Sequence, residues 1–294
     1  MILVVGNINY DILLPLSRLP GPHEKVVSDG AITGFGGSAA NTAYWLAKLG
    51  TPVTLSGAVG NDAMGASHLV SLREAGVDIC GVSQVETASG LAIIFSRERE
   101  KRMVRVPGAN LKGRVRDELV VGPEPDRGAG CDLLYLSGGD LSTLKSYAVL
   151  ALERKVPIIC GFHGAQDPEV AGIASGFILN SDEVRMITGL EDPEEGILAL
   201  DSGVVAITLP EGGCLVSEGI NIMRVFADEL DPVDRTGGGD AFAAGFLSGL
   251  RRGLDLDECG RMGNRLAARV IMKTGARPEI KIVNSGLSTT DWKR

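Results

Sequence analysis

The 294-residue sequence lacks the signatures of several common chemistries, and each absence removes a class of function. Its three histidines, His23, His68 and His163, show no metal-binding spacing, and HExxH is missing, so a zinc hydrolase has no ligand set. GxSxG is also missing, which leaves a serine hydrolase nothing to stand on. No GxxxxGK[ST] occurs, so this is not a P-loop NTPase. Only Gly6 follows the first apolar run, which is too little glycine for a dinucleotide fingerprint. Positive charge is in deficit, 29 Lys and Arg against 37 Asp and Glu, so no basic face exists to neutralise nucleic-acid phosphates. No apolar run is long enough to cross a bilayer. The five cysteines (Cys80, Cys131, Cys160, Cys214 and Cys259) are odd in number, widely spaced and without C-x-x-C, which predicts reduced thiols in a cytoplasmic protein. The N-terminal MILVVGNIN has no basic lead or cleavage site and reads as a first strand, not a signal peptide. Small molecules remain as partners, with no nucleic acid and no membrane.

What is present alternates. Apolar runs bounded by turn residues recur at Ile2–Val5, Val53–Val59, Leu133–Leu136, Val156–Cys160, Gly176–Leu179 and Val204–Leu209, as in strands buried on both faces of a parallel sheet. Helical patterns lie between them at Ala39–Leu49, Ala63–Ala75, Leu141–Arg154, Glu183–Thr188, Pro193–Asp201, Ala241–Arg252 and Asp257–Lys273. The alternation predicts one α/β domain over residues 1–294, a doubly wound, mainly parallel sheet flanked by helices. Gly213–Val216 and Ile222–Phe226, around Ser217–Asn221, predict a hairpin at one sheet edge, and Gly122–Gly130 a loop before a core strand. Two stretches, about 11–34 and 80–106, break the pattern with short alternating segments (Lys25–Ser28, Leu91–Ser96, Arg102–Val106). They predict a small antiparallel lid subdomain over a pocket.

The chemistry centres on Asp231–Gly249, DPVDRTGGGDAFAAGFLSG. Gly237, Gly238 and Gly239 feed a helix, where backbone N–H groups and the helix dipole favour an anion. Asp240 is badly placed for binding phosphate and well placed for taking a proton. A helix cap on a glycine-rich turn would explain Asp240 alone. An anion cradle beside a general base suits phosphoryl transfer to a hydroxyl. Elsewhere, Asn9 and Asp11 after the first strand can bond vicinal hydroxyls, or form an Asx turn. Gly36, Gly37 and Asn41 open a helix of small residues, where paired glycines let a ligand reach the backbone. Asn180 and Glu183 can hold water around a hydrated Mg²⁺, with Ser181 or Asp182 capping the helix. Thr208-Leu209-Pro210-Glu211-Gly212-Gly213 joins a core strand to the hairpin, and its glycines can pass a nucleotide's phosphate and ribose.

In this order the motifs resemble the ribokinase-like sugar kinases of the PfkB family, over Ile2 to Ala276. The most specific element is Asp234-Arg235-Thr236-Gly237-Gly238-Gly239-Asp240-Ala241-Phe242, similar to the family's D-T-T-G-A-G-D-x-F. The resemblance implies a ribokinase-like fold and an ATP- and Mg²⁺-dependent transfer of the γ-phosphoryl group to a sugar hydroxymethyl, with Asp240 as base and the Gly237–Gly239 amides as anion hole. It implies substrate contacts from Asn9, Asp11, Gly36, Gly37 and Asn41, and nucleotide contacts from Asn180, Thr208, Gly213 and Asn264. It further implies Mg²⁺ held through water at Glu183, and a monovalent cation such as K⁺ at Asp234 and the backbone around Gly275. A nucleoside kinase is the alternative, with Tyr10, Phe35 and Phe95 stacking on a base; a non-catalytic nucleotide- or sugar-binding regulator is the third reading. Four departures stand out: Arg235 for Thr, Gly238 for Ala, Pro210 for a common glycine, and Ser38 for the lysine of ribokinases proper. Arg235 can reach the nucleotide phosphates or point to solvent. The edges of the lid strands predict a homodimer.

Overall fold

Runs of apolar residues without polar alternation must be buried on both faces, and the larger sheet is built from them. In this computed structural model, which describes residues 1–97, 100–121, 130–210 and 212–282, that sheet runs Asn221–Val225, Cys214–Glu218, Val204–Thr208, Gly176–Asn180, Ile158–Cys160, Leu133–Leu136, Ile2–Val5, Val53–Gly60, Asp78–Val85. Neighbours from Val204–Thr208 across to Asp78–Val85 pair in parallel. The last two strands form an antiparallel hairpin at the edge, as expected. Alternation along each strand feeds two cores. Ile2, Val4, Tyr135, Ile178 and Ala206 pack under the helices Ser38–Lys48, Ala63–Glu74, Gly238–Arg251 and Leu256–Ile271. Leu3, Val5, Leu134, Leu136, Phe177 and Val205 face Leu141–Glu153 and the shorter helices that follow it.

The strand Ile2–Val5 has Val53–Gly60 on one side and Leu133–Leu136 on the other, so the chain order reverses there and a crevice opens at its carboxyl end. There the backbones nearly touch: a Cβ on Gly6 would lie 2.7 Å from the Gly138 nitrogen.

The second sheet covers this end, in the order Ile32–Gly36, Asn9–Pro15, Gly90–Arg97, Glu100–Val106. It corrects the expected lid in three ways. Asn9–Pro15 pairs parallel to Gly90–Arg97, so the lid sheet is mixed, not antiparallel. Asp78–Val85 belongs to the main sheet, where it pairs with Val53–Gly60 as an edge strand, and its half-covered alternation mimics a lid strand. Lys25–Ser28 forms no strand; Val27, 85% exposed, has no sheet to alternate against.

The hairpin turn is tighter than expected, at 219–220 with Gly219 at φ +56°. Two helices start before the apolar pattern does, at Ser181 and at Gly238, because their first turns are polar or glycine-rich. The short helices Phe162–Ala165 and Pro168–Ile173 had no pattern to announce them. The loop expected at Gly122–Gly130, except Gly130, lies outside the described residues, as do Glu211 and residues 283–294.

Candidate active site

Two helices enter this region in the same unusual way. Ser38–Lys48 is preceded by Gly37 at φ 89° and Gly238–Arg251 by Gly237 at φ 77°, and neither has a side-chain cap. Positive φ is cheap only for glycine, and an uncapped N-terminus leaves amides for a ligand. The three glycines differ in what requires them. A Cβ on Gly237 would sit 2.6 Å from the Ala276 Cα, and one on Gly238 would sit 2.8 Å from the Ile271 Cγ2, which explains glycine where alanine is usual. Around Gly239 a Cβ would meet nothing within 4 Å. No atom of the described residues demands that glycine.

Gly239 lies where two cavities meet. One, of about 510 Å³, is lined by Thr208, Gly213, Arg235, Gly238, Gly239 and Asn264; the other, of about 330 Å³, by Ser38, Asn180, Glu183, Thr208 and Gly239 among others. Asn180 and Thr208 are register partners at the ends of adjacent parallel strands. Asn180, with Glu183, forms the capping box of helix Ser181–Thr188, so Asn180 is the cap instead of Ser181 or Asp182. Burial raises the Glu183 carboxyl above its ordinary range, and the nearby charge of Asp240 raises it further, against the Asn180 N–H that lowers it. Asn264 is buried and donates to the Val225 carbonyl at 3.2 Å. Arg235 is exposed at the rim of the larger cavity. Pro210 lines the same cavity.

Asp240 stands in the first turn of its helix, and its carboxylate faces the other helix. It accepts a hydrogen bond from Ser38 Oγ on one oxygen and from Asn41 Nδ2, at 2.8 Å, on the other. Ser38 in turn accepts from Ser137 Oγ at 2.9 Å. Burial raises the Asp240 pKa despite these donors and the positive field of Arg277. Asn41 is thus bonded to Asp240 through one of its two N–H groups, and its Oδ1 accepts from Arg277 Nε at 2.8 Å, so the protein fixes how the amide points.

The second sheet carries Asn9 and Asp11: Asn9 lines one cavity with Asn110 and His163, and Asp11 lines another with Arg277, close enough to Asp240 to feel its charge. Asn9 Oδ1 accepts from Asn110 Nδ2 at 2.7 Å, and Asn110 Oδ1 accepts from the Ile8 N–H at 2.8 Å. Asp11 needs Gly36 opposite, since a Cβ there would fall 2.1 Å from Asp11 Oδ1. Burial pushes the Asp11 carboxyl up to about 6, opposed by Arg277 and reinforced by Asp240. Alternation sends Tyr10 and Phe95 to the other lid face, away from Asn9 and Asp11, so neither stacks on a ligand bound beside Asp11; Phe35 packs on His68 with ring centroids 4.9 Å apart. Asp234 ties two loops together: Oδ1 accepts from the Thr236 N–H and hydroxyl at 2.9 and 2.7 Å, and Oδ2 from the Gly275 N–H at 3.0 Å.

Sequence patterns did not point to Asn110, Ser137, Arg277 or the bond from Ser38 to Asp240. Arg277 carried a faint signal, two residues after Gly275. Asn110 and Ser137 carried none, since only tertiary approach makes them neighbours of the site.

Comparison with known proteins gives this geometry a family. The family model for pfkB family carbohydrate kinases matches residues 1–282. A sugar kinase of Archaeoglobus fulgidus, itself uncharacterised, is 33% identical over 245 residues, covering 79% of this chain and 96% of that one. Ribokinase of Mus musculus is 29% identical, covering 94% and 90%. The solved adenosine kinase of Sinorhizobium meliloti superposes with a TM-score of 0.80 at 25% identity, over 95% of this chain and 96% of that one. The chain belongs to the pfkB family of carbohydrate kinases, phosphotransferases with an alcohol group as acceptor.

Proposed function

We propose that this enzyme transfers the γ-phosphoryl group of ATP to a hydroxymethyl group of a sugar, with Asp240 as general base. The observation that carries the proposal is Gly239, an open glycine between two cavities with Asp240 next in the chain. A nucleotide in the larger cavity, among Thr208, Gly213 and Asn264, would place its terminal phosphate at the first-turn amides of helix Gly238–Arg251. A hydroxyl held under the lid by Asn9, Asp11 and the Gly36–Gly37 backbone would meet it at the Asp240 carboxylate.

Asp240 accepts the hydroxyl proton as the oxygen attacks phosphorus. Its raised pKa makes it a stronger base than an exposed carboxylate, and Ser38 and Asn41 hold it in place. The Gly237–Gly239 turn offers amides to the charge that develops on the transferred group. Gly238 already donates to the Arg235 carbonyl at 3.2 Å, so the Gly239 and Asp240 amides are the better placed. Glu183 and Asn180 fit a magnesium ion held through water, since a carboxylate and an amide line the smaller of the two cavities together. Bound magnesium supplies neutralisation of phosphate charge. A monovalent cation near Asp234 and Gly275 would be bound through backbone carbonyls, with Asp234 giving charge; comparing rates in K⁺ and Na⁺ tests this. We place the enzyme in the cytoplasm on its five free thiols, and fractionation checks that. A lid-mediated homodimer is supported by the exposed Ile32, Met103, Val104 and Val106, and light scattering at micromolar concentration tests it.

A nucleoside acceptor is the second reading, favoured by the likeness to an adenosine kinase. Incubation with ATP and D-ribose, D-fructose or adenosine, with product identified by mass and phosphorus NMR, separates the two. Absence of any phosphate ester across the alcohol acceptors tried would overturn the assignment.

A further inference from the structure

Beneath the lid, between Asp11 and the loop after helix Leu256–Ile271, lies a cavity of about 310 Å³ with two incomplete groups. Asp11 and Arg277 both line it; Asp11 Oδ1 and Arg277 Nη1 are buried and neither has a hydrogen-bond partner among the described residues. The rest of the Arg277 head is fixed. Nε donates to Asn41 Oδ1 at 2.8 Å and Nη2 to His68 Nε2 at 2.9 Å, while the guanidinium carbon sits 5.2 Å from the Tyr44 ring centroid. His68 accepts because burial and Arg277 itself hold its pKa well below the ordinary value, leaving the ring neutral. The loop is anchored too, by Trp45 Nε1 to the Ala276 carbonyl at 3.0 Å and by Gly275 to Asp234. A planar guanidinium with two of its nitrogens tied cannot turn the third elsewhere. Buried donors and acceptors are almost always satisfied, so a matched pair left open in one cavity points to a ligand that completes both.

The pair also says what that ligand is. One open atom only donates and the other, as a carboxylate oxygen, accepts; a hydroxyl group answers both. An anion would answer Arg277 but meet Asp11 and Asp234 in the same lining, with Asp240 close enough to shift Asp11. We propose that Arg277 is a specificity-determining residue of the acceptor site, its Nη1 donating to, and Asp11 Oδ1 accepting from, hydroxyls of an uncharged polyol. This rests on the kinase reading only for the name of the site. Arg277 also fixes the Asn41 amide, and through it Asp240, so a purely positioning role would lower turnover without changing which sugar binds.

Calorimetric binding to the full chain separates these roles without requiring turnover. The probes are D-ribose, its 2-deoxy and 3-deoxy analogues, D-fructose, D-gluconate and D-fructose 6-phosphate. Wild type is expected to bind a neutral sugar and to lose about tenfold or more when the clamped hydroxyl is absent. Arg277→Met should bind the parent sugar weakly and discriminate against its deoxy analogue by no more than about twofold, which a positioning role would not produce. Should Arg277→Met fail to fold by circular dichroism, Arg277→Lys, which keeps the charge but not the planar fork, takes its place. Retained discrimination in the folded variant, tighter binding of gluconate or the sugar phosphate, or no binding of any neutral probe to wild type would each overturn the proposal. Phosphotransfer measured alongside reports on the kinase reading: intact discrimination with no product would sink that reading and leave the clamp standing.

Discussion

Replacing Gly239 by alanine should raise stability and destroy turnover, an opposition of signs that few substitutions produce. The new methyl meets nothing within 4 Å, and Gly239 does not sit in the left-handed region, so the backbone accepts alanine unchanged. Restricting the unfolded chain at a helical position then stabilises by about 0.5–1 kcal/mol, or about 1–3 °C in melting temperature. The same methyl intrudes where the transferred phosphoryl group passes from the nucleotide cavity to Asp240. Alanine keeps the amide, but the methyl holds the phosphoryl group off it, and losing one well-aimed bond to a developing oxyanion costs about 2.7–4 kcal/mol, about 10²- to 10³-fold in kcat. Gly238→Ala and Gly237→Ala are the controls. The first puts a Cβ 2.8 Å from Ile271 Cγ2, an overpacking worth about 1–3 kcal/mol. The second must hold φ 77° with a Cβ 2.6 Å from Ala276, and should be the least stable of the three. Thermal unfolding and an ATP-dependent phosphorylation assay on purified protein read both quantities. A Gly239→Ala enzyme with kcat within about threefold of wild type would refute the placement of the phosphoryl path.

Asp240→Asn should fold, since its amide can present oxygen to Asn41 and nitrogen to Ser38 Oγ, and should lose about 10²- to 10⁴-fold in kcat with ATP affinity retained; a loss under tenfold would remove Asp240 as base. Because burial raises the Asp240 pKa, and the base works ionised, kcat/KM should fall on acidification at a higher pH than for an ordinary carboxylate, as a pH profile will show. Asp11 gives a stability prediction with a definite sign. Its carboxyl titrates near 6 in the fold against an ordinary 3.8, so the folded state is penalised once pH exceeds both values, by at most about 3 kcal/mol, and not at all below pH 3.8. Asp11→Asn should therefore melt above wild type at pH 7, with the gap closing as pH falls from about 6 to 4; a gap independent of pH would refute the burial argument. Gly36→Ala, whose Cβ would overlap Asp11 Oδ1, should raise KM for the acceptor sharply and leave KM for ATP near wild type.

How much of this was legible in the sequence depended on whether a residue's role is local. The parallel sheet could be read because Ile2–Val5 or Val204–Thr208 are apolar on both faces, which few other environments permit. The glycine turn before Asp240 could be read because Gly237 must hold positive φ whatever surrounds it. The lid expected over about 80–106 takes in most of the strand Asp78–Val85, because an edge strand covered on one face alternates like any half-exposed strand, and only its pairing with Val53–Gly60 decides. Asn41 could be placed one turn into a helix by its spacing, but that spacing says nothing of the Asp240 that arrives from 199 residues later and takes one of its N–H groups. Arg277 and Asn110 illustrate the limit: each acts through partners far away in the chain, and no window of sequence contains both ends.

The two glycine turns share a physical logic that neither shows alone. Gly37 and Gly237 each begin a helix without a side-chain cap, and the two helices pack so that Ser38 and Asn41 of one touch Asp240 of the other. Two positive dipole ends thus converge on one point. That field favours a negative charge there, while burial raises the Asp240 pKa against the Ser38 and Asn41 donors and the charge of Arg277. The balance suits both duties of the site. Donors alone would weaken the carboxylate as a base, and burial alone would favour its neutral form. Held between the two, Asp240 stands beside the remaining amides, and the same two helix ends attract the charge of a phosphoryl group. A residue with a capping side chain at either 37 or 237 would satisfy the orphan amides locally and remove that attraction. Glycine at both positions is therefore required twice, by its backbone conformation and by what it leaves unbonded.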